Sequence, residues 1–222
     1  MPHAVRLCPS RREDAVTAPD GPTVHGGQNV TESTWHRKET ARPTTEGGRT
    51  VPIYALGDLE PEIAPEAFVH PDAIIIGQVR IGPESTVWPT TVLRGDHGRI
   101  VIGARTSIQD GAVVHCTAEL DTVIGSDCTI GHLAHLEGCT VEDRALVGSG
   151  STVLHRAIVG AGAIVAAQAL VAPGTYVPPG ALARGVPARI VEDAADAELI
   201  DHAVRTYVRN AHWYAAELRR LD

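Results

Sequence analysis

At 222 residues and 43% hydrophobic content, the chain can bury one substantial core, but with a single Phe that core must be filled by valine, isoleucine and alanine. A net charge of -8 and a pI near 5.7, with no compensating basic stripe, argue against nucleic acid or an anionic membrane as partner. No apolar run is long enough to cross a bilayer.

Residues 1–50 are rich in Pro, Gly, Thr and charge, carry no periodicity, and are expected to be a disordered N-terminal extension. A six-residue metre follows. Ile63, Val69, Ile75, Ile81, Val87 and Leu93 keep one interval, and Val141, Val147, Val153, Val159, Val165 and Val171 repeat it. Small residues stand four positions later, among them Ala67, Ala73, Ala145, Ala157, Ala163 and Ala169. Neither a helix nor an ordinary strand has period six. A parallel β-helix does, because each flat face takes about six residues and each corner admits only a small side chain. The reading is an all-β solenoid over residues 51–190.

Two interruptions are visible. Arg94 to Val101, carrying Arg-Gly-Asp-His-Gly, is expected to leave the coil as a loop, and Thr117 to Thr122 is the second. Ile102, Ile108 and Val114 keep time between them; Ile124, Ile130 and Leu136 resume it. Beyond Pro173, Pro178, Pro179 and Pro187 the grammar changes. Asp193 and Asp196 offer an N-cap and an acidic first turn. Ile200, Val204, Tyr207, Ala211, Tyr214, Leu218 and Leu221 then step by four and three. That stripe predicts an amphipathic helix of about seven turns within residues 193–222, packed along the prism, with Tyr207 as a packing residue. The four cysteines, Cys8, Cys116, Cys128 and Cys139, lack Cys-x-x-Cys spacing, and no secretory apolar segment is evident. They read as reduced thiols of a cytoplasmic protein, Cys128 filling a small-residue slot.

Counting places a site. If Ile102, Ile108 and Val114 lie on the first, second and third faces of one coil, Leu136 stacks on Val114. Their successors His115 and Glu137 then point outward one strand spacing apart, about 4.8 Å. His132, two residues past Ile130, belongs to the second face and is turned away from them; only a neighbouring chain could bring it there. A three-sided prism packs naturally as a threefold homotrimer, second face against third. Two imidazoles and one carboxylate form a zinc donor set with a fourth position open, and a cation so held lowers the pKa of bound water toward about 7. His135, read as ending the second-face strand, and His155, one coil above Glu137, are alternative ligands, orienting partners or plain surface imidazoles.

The stretch Ile76-Gly77, Ser85-Thr86-Val87-Trp88-Pro89, Arg94-Gly95-Asp96, Ile108-Gln109-Asp110, Val113-Val114-His115, Ile130-Gly131-His132 and Gly138-Cys139-Thr140 resembles the γ-class carbonic anhydrase family, left-handed β-helix trimers of hexapeptide repeats. The resemblance covers Ile53 to about Arg189, and the C-terminal helix suits it. It implies zinc or ferrous iron at each subunit interface, held by His115 and, from the neighbour, His132. The family's third histidine falls at Glu137. Because His135 is assigned to a different face from His115, Glu137 is favoured as the third ligand, with His135 the alternative. The resemblance further implies an interface salt bridge for Arg94 and Asp96, and a role for Gln109 in orienting the reacting oxygen, with Asp110 beside it. Ser107 stands where the family has asparagine; its hydroxyl donates one hydrogen bond but cannot copy an amide's donor and acceptor pair.

The implied activity is hydration of carbon dioxide to bicarbonate, with His155, His97 and Glu119 as proton-shuttle candidates. Two rival readings carry different predictions. Acyl transfer from coenzyme A, known among left-handed β-helix proteins, predicts activity that survives chelation. A non-catalytic metal-binding scaffold predicts bound metal without turnover.

Overall fold

The computed structural model describes residues 51–221; the extension predicted over residues 1–50, with Cys8, lies outside the described residues. The described chain winds into a left-handed parallel β-helix of about seven turns with one C-terminal helix. Val141, Val159 and Val177 stack in register, so each regular coil takes 18 residues. The second face carries Phe68–Val69, Thr86–Val87, Ser107–Ile108, Thr129–Ile130, Leu146–Val147, Ile164–Val165 and Leu182–Arg184. The third carries residues 74–77 and 92–95 of two longer strands, then Val113–His115, His135–Glu137, Thr152–Val153 and Leu170–Val171.

The metre is the burial pattern. Ile75, Leu93, Val114, Leu136, Val153 and Val171 form one inward column, each fully buried. The corners hold small residues because the coils come within hydrogen-bonding distance there, and buried hydroxyls at corners return their bonds to the backbone. Ser85 donates to Gly103 O at 2.7 Å and Thr106 to Gly125 O at 2.7 Å. Cys128 sits in that same series, fully buried among Ala145, Ala163 and Ala181 of later coils. The three described cysteines are free thiols.

Two expectations need correction. The Arg-Gly-Asp segment does not leave the coil: Val92–Ile102 is one continuous strand, paired with Ile74–Ile81 and bulged between the Gly77/Gly95 and Val79/Ile100 pairs. Glycine makes this possible, since a Cβ on Gly77 would stand 2.3 Å from Gly95 O, and one on Gly95 would stand 2.5 Å from Gln78 O. The helix α1 (Ala197–Glu217) is also shorter than the stripe suggested, about six turns. Asp196, not Asp193, caps it, accepting from the Glu198 and Leu199 amides. Leu218 and Leu221 lie past its end and are exposed.

α1 packs on the second face, against the strands from Phe68–Val69 to Thr129–Ile130. Phe68, Trp88, Tyr207 and Tyr214 gather in this seam, outside the prism. Trp88 meets Tyr214 edge-on at 4.9 Å and Tyr207 at 5.9 Å, and Phe68 joins them. Such T-shaped contacts suit the ring quadrupoles. They fix the helix over the face that carries Ser107 and Gln109.

Candidate functional site

On the third face the register stacks Arg94 under His115 and His115 under Glu137. His115 is the centre of the group that results. Its Nδ1 faces Glu137 Oε1 at 2.8 Å, and its Nε2 faces Asp96 Oδ1 at 2.9 Å. Asp96 reaches it because Arg94 and Asp96, two apart on an extended strand, project to the same side. Arg94 Nη1 donates to the other Asp96 oxygen. Within one chain Asp96 thus pairs with Arg94 as well as with His115.

His135 stands on this face as well. It begins the strand His135–Glu137 and pairs with Val113, so its assignment to the second face is wrong. The corner is turned by residues 131–134, so the second-face strand ends at Ile130 and His135 already opens the next one. Glu137 Oε2 consequently faces two more imidazoles, His135 Nε2 and His155 Nε2, each at 3.6 Å. One carboxylate therefore sits among three histidines. Hydrogen bonding from His115 holds the Glu137 carboxyl below its ordinary range against the opposing effect of burial, and the charges of His115, His155 and His135 add to this. For Asp96 burial alone would raise the carboxyl; hydrogen bonds from His115 and Arg94 outweigh it and leave it lowered.

His132 lies round the corner, as the count required. Its Nδ1 pairs with Asp110 Oδ2 at 2.9 Å, both side chains about half exposed. Gln109 and Ser107 lie under α1. Gln109 is 4% exposed, and its side chain lies beside the Tyr207 phenol. Ser107 Oγ accepts from the Trp88 indole at 3.0 Å. Of the shuttle candidates, only His155 touches the carboxylate cluster. Glu119 is exposed and accepts from Thr117 Oγ1, while His97 is exposed and makes no hydrogen bond or ion pair among the described residues. Counting along the sequence missed Asp96 as a direct partner of His115, and Tyr207 as more than packing. The i, i+2 spacing of Asp96 from Arg94 was the available signal for the first; nothing in the sequence pointed from the helix to Gln109.

The chemistry of this wall fits a divalent cation. An imidazole that meets carboxylates at both nitrogens does so by donating a proton from each. A cation at either nitrogen replaces that proton, and the carboxylate already present becomes a second donor. A ligand histidine whose other nitrogen is held by a carboxylate is the usual arrangement around bound metals. Among the described residues of this chain no group of three or more His, Cys, Asp or Glu side chains is arranged to hold one metal ion.

The family described as bacterial transferase hexapeptide (six repeats) matches residues 121–155. The chain is 39% identical over 168 residues to the Arabidopsis thaliana protein named Gamma carbonic anhydrase 2, mitochondrial, covering 72% of this chain and 60% of that one. It therefore spans less than two thirds of that relative's length. It is 42% identical over 146 residues to the Carnitine operon protein CaiE of Citrobacter koseri, covering 66% of this chain and 74% of CaiE. Among solved structures it is similar to a hexapeptide transferase family protein from Anaplasma phagocytophilum, with a TM-score of 0.71 and 36% identity over 74% of this chain and 98% of that one.

Proposed function

We propose, from the premise that the chain belongs to the γ-class carbonic anhydrase family of hexapeptide-repeat proteins, that it hydrates carbon dioxide to bicarbonate as a metal-dependent homotrimer. The observation that carries the reading is the stacking of Glu137 on His115 at 2.8 Å, because it sets two metal-binding groups side by side on the face next to the corner that carries His132. His115 and Glu137 of one subunit, with His132 of the next, would hold zinc or ferrous iron, which when bound supplies the Lewis acidity that activates water for attack on carbon. Asp96 fixes the ring of His115. Gln109, beside Tyr207, orients the reacting oxygen, with Asp110 keeping His132 in place and Ser107 anchoring the floor through Trp88. A proton leaves through His155 Nε2, one of the two partly exposed imidazoles next to Glu137, with Glu119 and His97 as outer carriers. Free thiols at the three described cysteines suit the reducing cytoplasm. Among the described residues no helix is long and apolar enough to cross a membrane.

Stopped-flow hydration of carbon dioxide by protein loaded with zinc or with ferrous iron, across pH, tests the reading. A carboxylate ligand leaves less net positive charge on the metal than a third imidazole, so the metal-dependent rate should rise toward alkaline pH and vanish in His132→Ala. No rate above buffer with either metal overturns it. The similarity to a hexapeptide transferase family protein supports acyl transfer from coenzyme A as a second reading, distinguished by turnover that survives chelation. Bound metal without any turnover would mark the scaffold reading instead.

A further inference from the structure

A cleft of about 330 Å³ lies between α1 and the second face, on the opposite side of the corner from the His115 cluster. Its origin is in the stacking. The position after each inward residue of this face holds Trp88 and Gln109 in two coils, then Gly131 and Gly148 in the next two. The large side chains support the helix; the glycines leave room beneath it. The neighbouring outward column runs Thr86, Ser107, Thr129, Leu146. The Trp88 indole hydrogen-bonds the first two hydroxyls, at 2.9 and 3.0 Å. Thr129 comes next, beyond the indole. Its Oγ1 is the buried side-chain oxygen without a hydrogen-bond partner among the described residues, and Thr129, 4% exposed, lines the cleft.

A buried hydroxyl with no partner costs roughly 1–3 kcal/mol. The two preceding coils pair their hydroxyls with the indole, so this exception needs a use. Around it the cleft offers Gln109, Ser149, His202, Thr206 and Tyr207 as hydrogen-bonding groups, with Leu146 and Ala203 as apolar surface. No Asp, Glu, Lys or Arg lines it, so an ion inside would find no opposite charge to offset its desolvation. The nearby Asp110 disfavours an anion further: burial first, and then this charge, raise the Tyr207 phenol against the opposing effect of Gln109 beside it. The volume lies at the small end of the range for small-molecule sites, about 300–1,000 Å³.

We propose that this cleft binds a small uncharged molecule bearing hydroxyl or amide groups, anchored on the Thr129 hydroxyl beneath α1. The inference goes beyond the hydratase reading and does not need a metal. Matched probes test it: acetamide against acetate, glycerol against glycerol phosphate, and N-acetylglucosamine against glucosamine, each titrated into the full chain while the Gln109 side-chain amide is followed by NMR. At least one uncharged probe should shift that resonance, with its charged counterpart weaker. Thr129→Val should weaken binding two- to tenfold, the worth of one hydrogen bond of about 0.5–1.5 kcal/mol. It should melt no lower than the parent, because no internal bond is lost. Ala203→Leu, which fills the cleft from the helix side, should abolish binding. Binding unchanged in Thr129→Val, a lower melting temperature for that variant, equal binding of charged probes, or no response to any uncharged probe overturns the proposal. Repeating the titration in His132→Ala separates it from the metal reading, since loss of metal there should leave cleft binding intact.

Discussion

Replacing Glu137 by Gln asks whether this carboxylate is a ligand, an orienting group for His115, or neither. The substitution keeps the size and one acceptor oxygen but removes the charge that faces His115 at 2.8 Å and His135 and His155 at 3.6 Å. The Glu137 side chain is 23% exposed, so solvent screens part of these attractions, and the metal-free protein should lose about 1 kcal/mol of stability. The sign with pH follows from the lowered carboxyl. Stability drawn from a depressed carboxylate is present above its ordinary value and lost as pH falls through the folded one. The gap between parent and variant should therefore close as the solution becomes more acid than about pH 5. Metal affinity separates the roles. An orienting carboxylate is worth roughly 10–100-fold; a ligand should be worth more. Competition with a chromophoric chelator, run on Glu137→Gln and His135→Ala together, gives both numbers. Unchanged affinity in the first and loss of metal in the second would refute the assignment of Glu137 and make His135 the third donor.

Two further outcomes follow from the packing. Burial pushes the Cys128 and Cys139 thiols up from 9.0 to about 12; a raised value means stability is complete below 9 and lost as pH rises toward 12. Each thiol should cost about 1.4 kcal/mol at pH 10, and urea melts of the parent should lose that much per thiol more than those of Cys128→Ala/Cys139→Ala over the same rise. Equal losses would mean the thiols ionise freely in the fold. Trp88→Phe removes the indole donor from Thr86 and Ser107 and part of the contact with Tyr207 and Tyr214. A loss of about 2–3 kcal/mol is expected, with faster hydrogen exchange in α1 than in the coils; uniform exchange would contradict the seam as the helix's anchor.

How far the sequence reaches is clearest on the third face. Period six with small corner residues admits one architecture, because a flat face of a solenoid has a fixed length and its corner a fixed volume. Simple counting from Ile102 therefore placed Glu137 over His115 correctly. The same count misplaced His135 by one corner. Which residue ends a turn depends on left-handed backbone positions such as Leu133, at φ 59°, and the pattern of inward residues does not report them. The Arg-Gly-Asp segment failed for a related reason: extra residues read as a loop, yet Gly77 and Gly95 let two strands come close enough to absorb them as a bulge. Tyr207 beside Gln109 and the unpartnered Thr129 lay wholly beyond the sequence, and Asp96 on His115 was signalled only by its spacing from Arg94. Each joins groups brought together by a bulge, a docked helix or the reach of one indole ring. A repeat dictates its own stacking through local volume and hydrogen bonding, whereas contacts between non-repeating parts are decided only when the whole chain has packed.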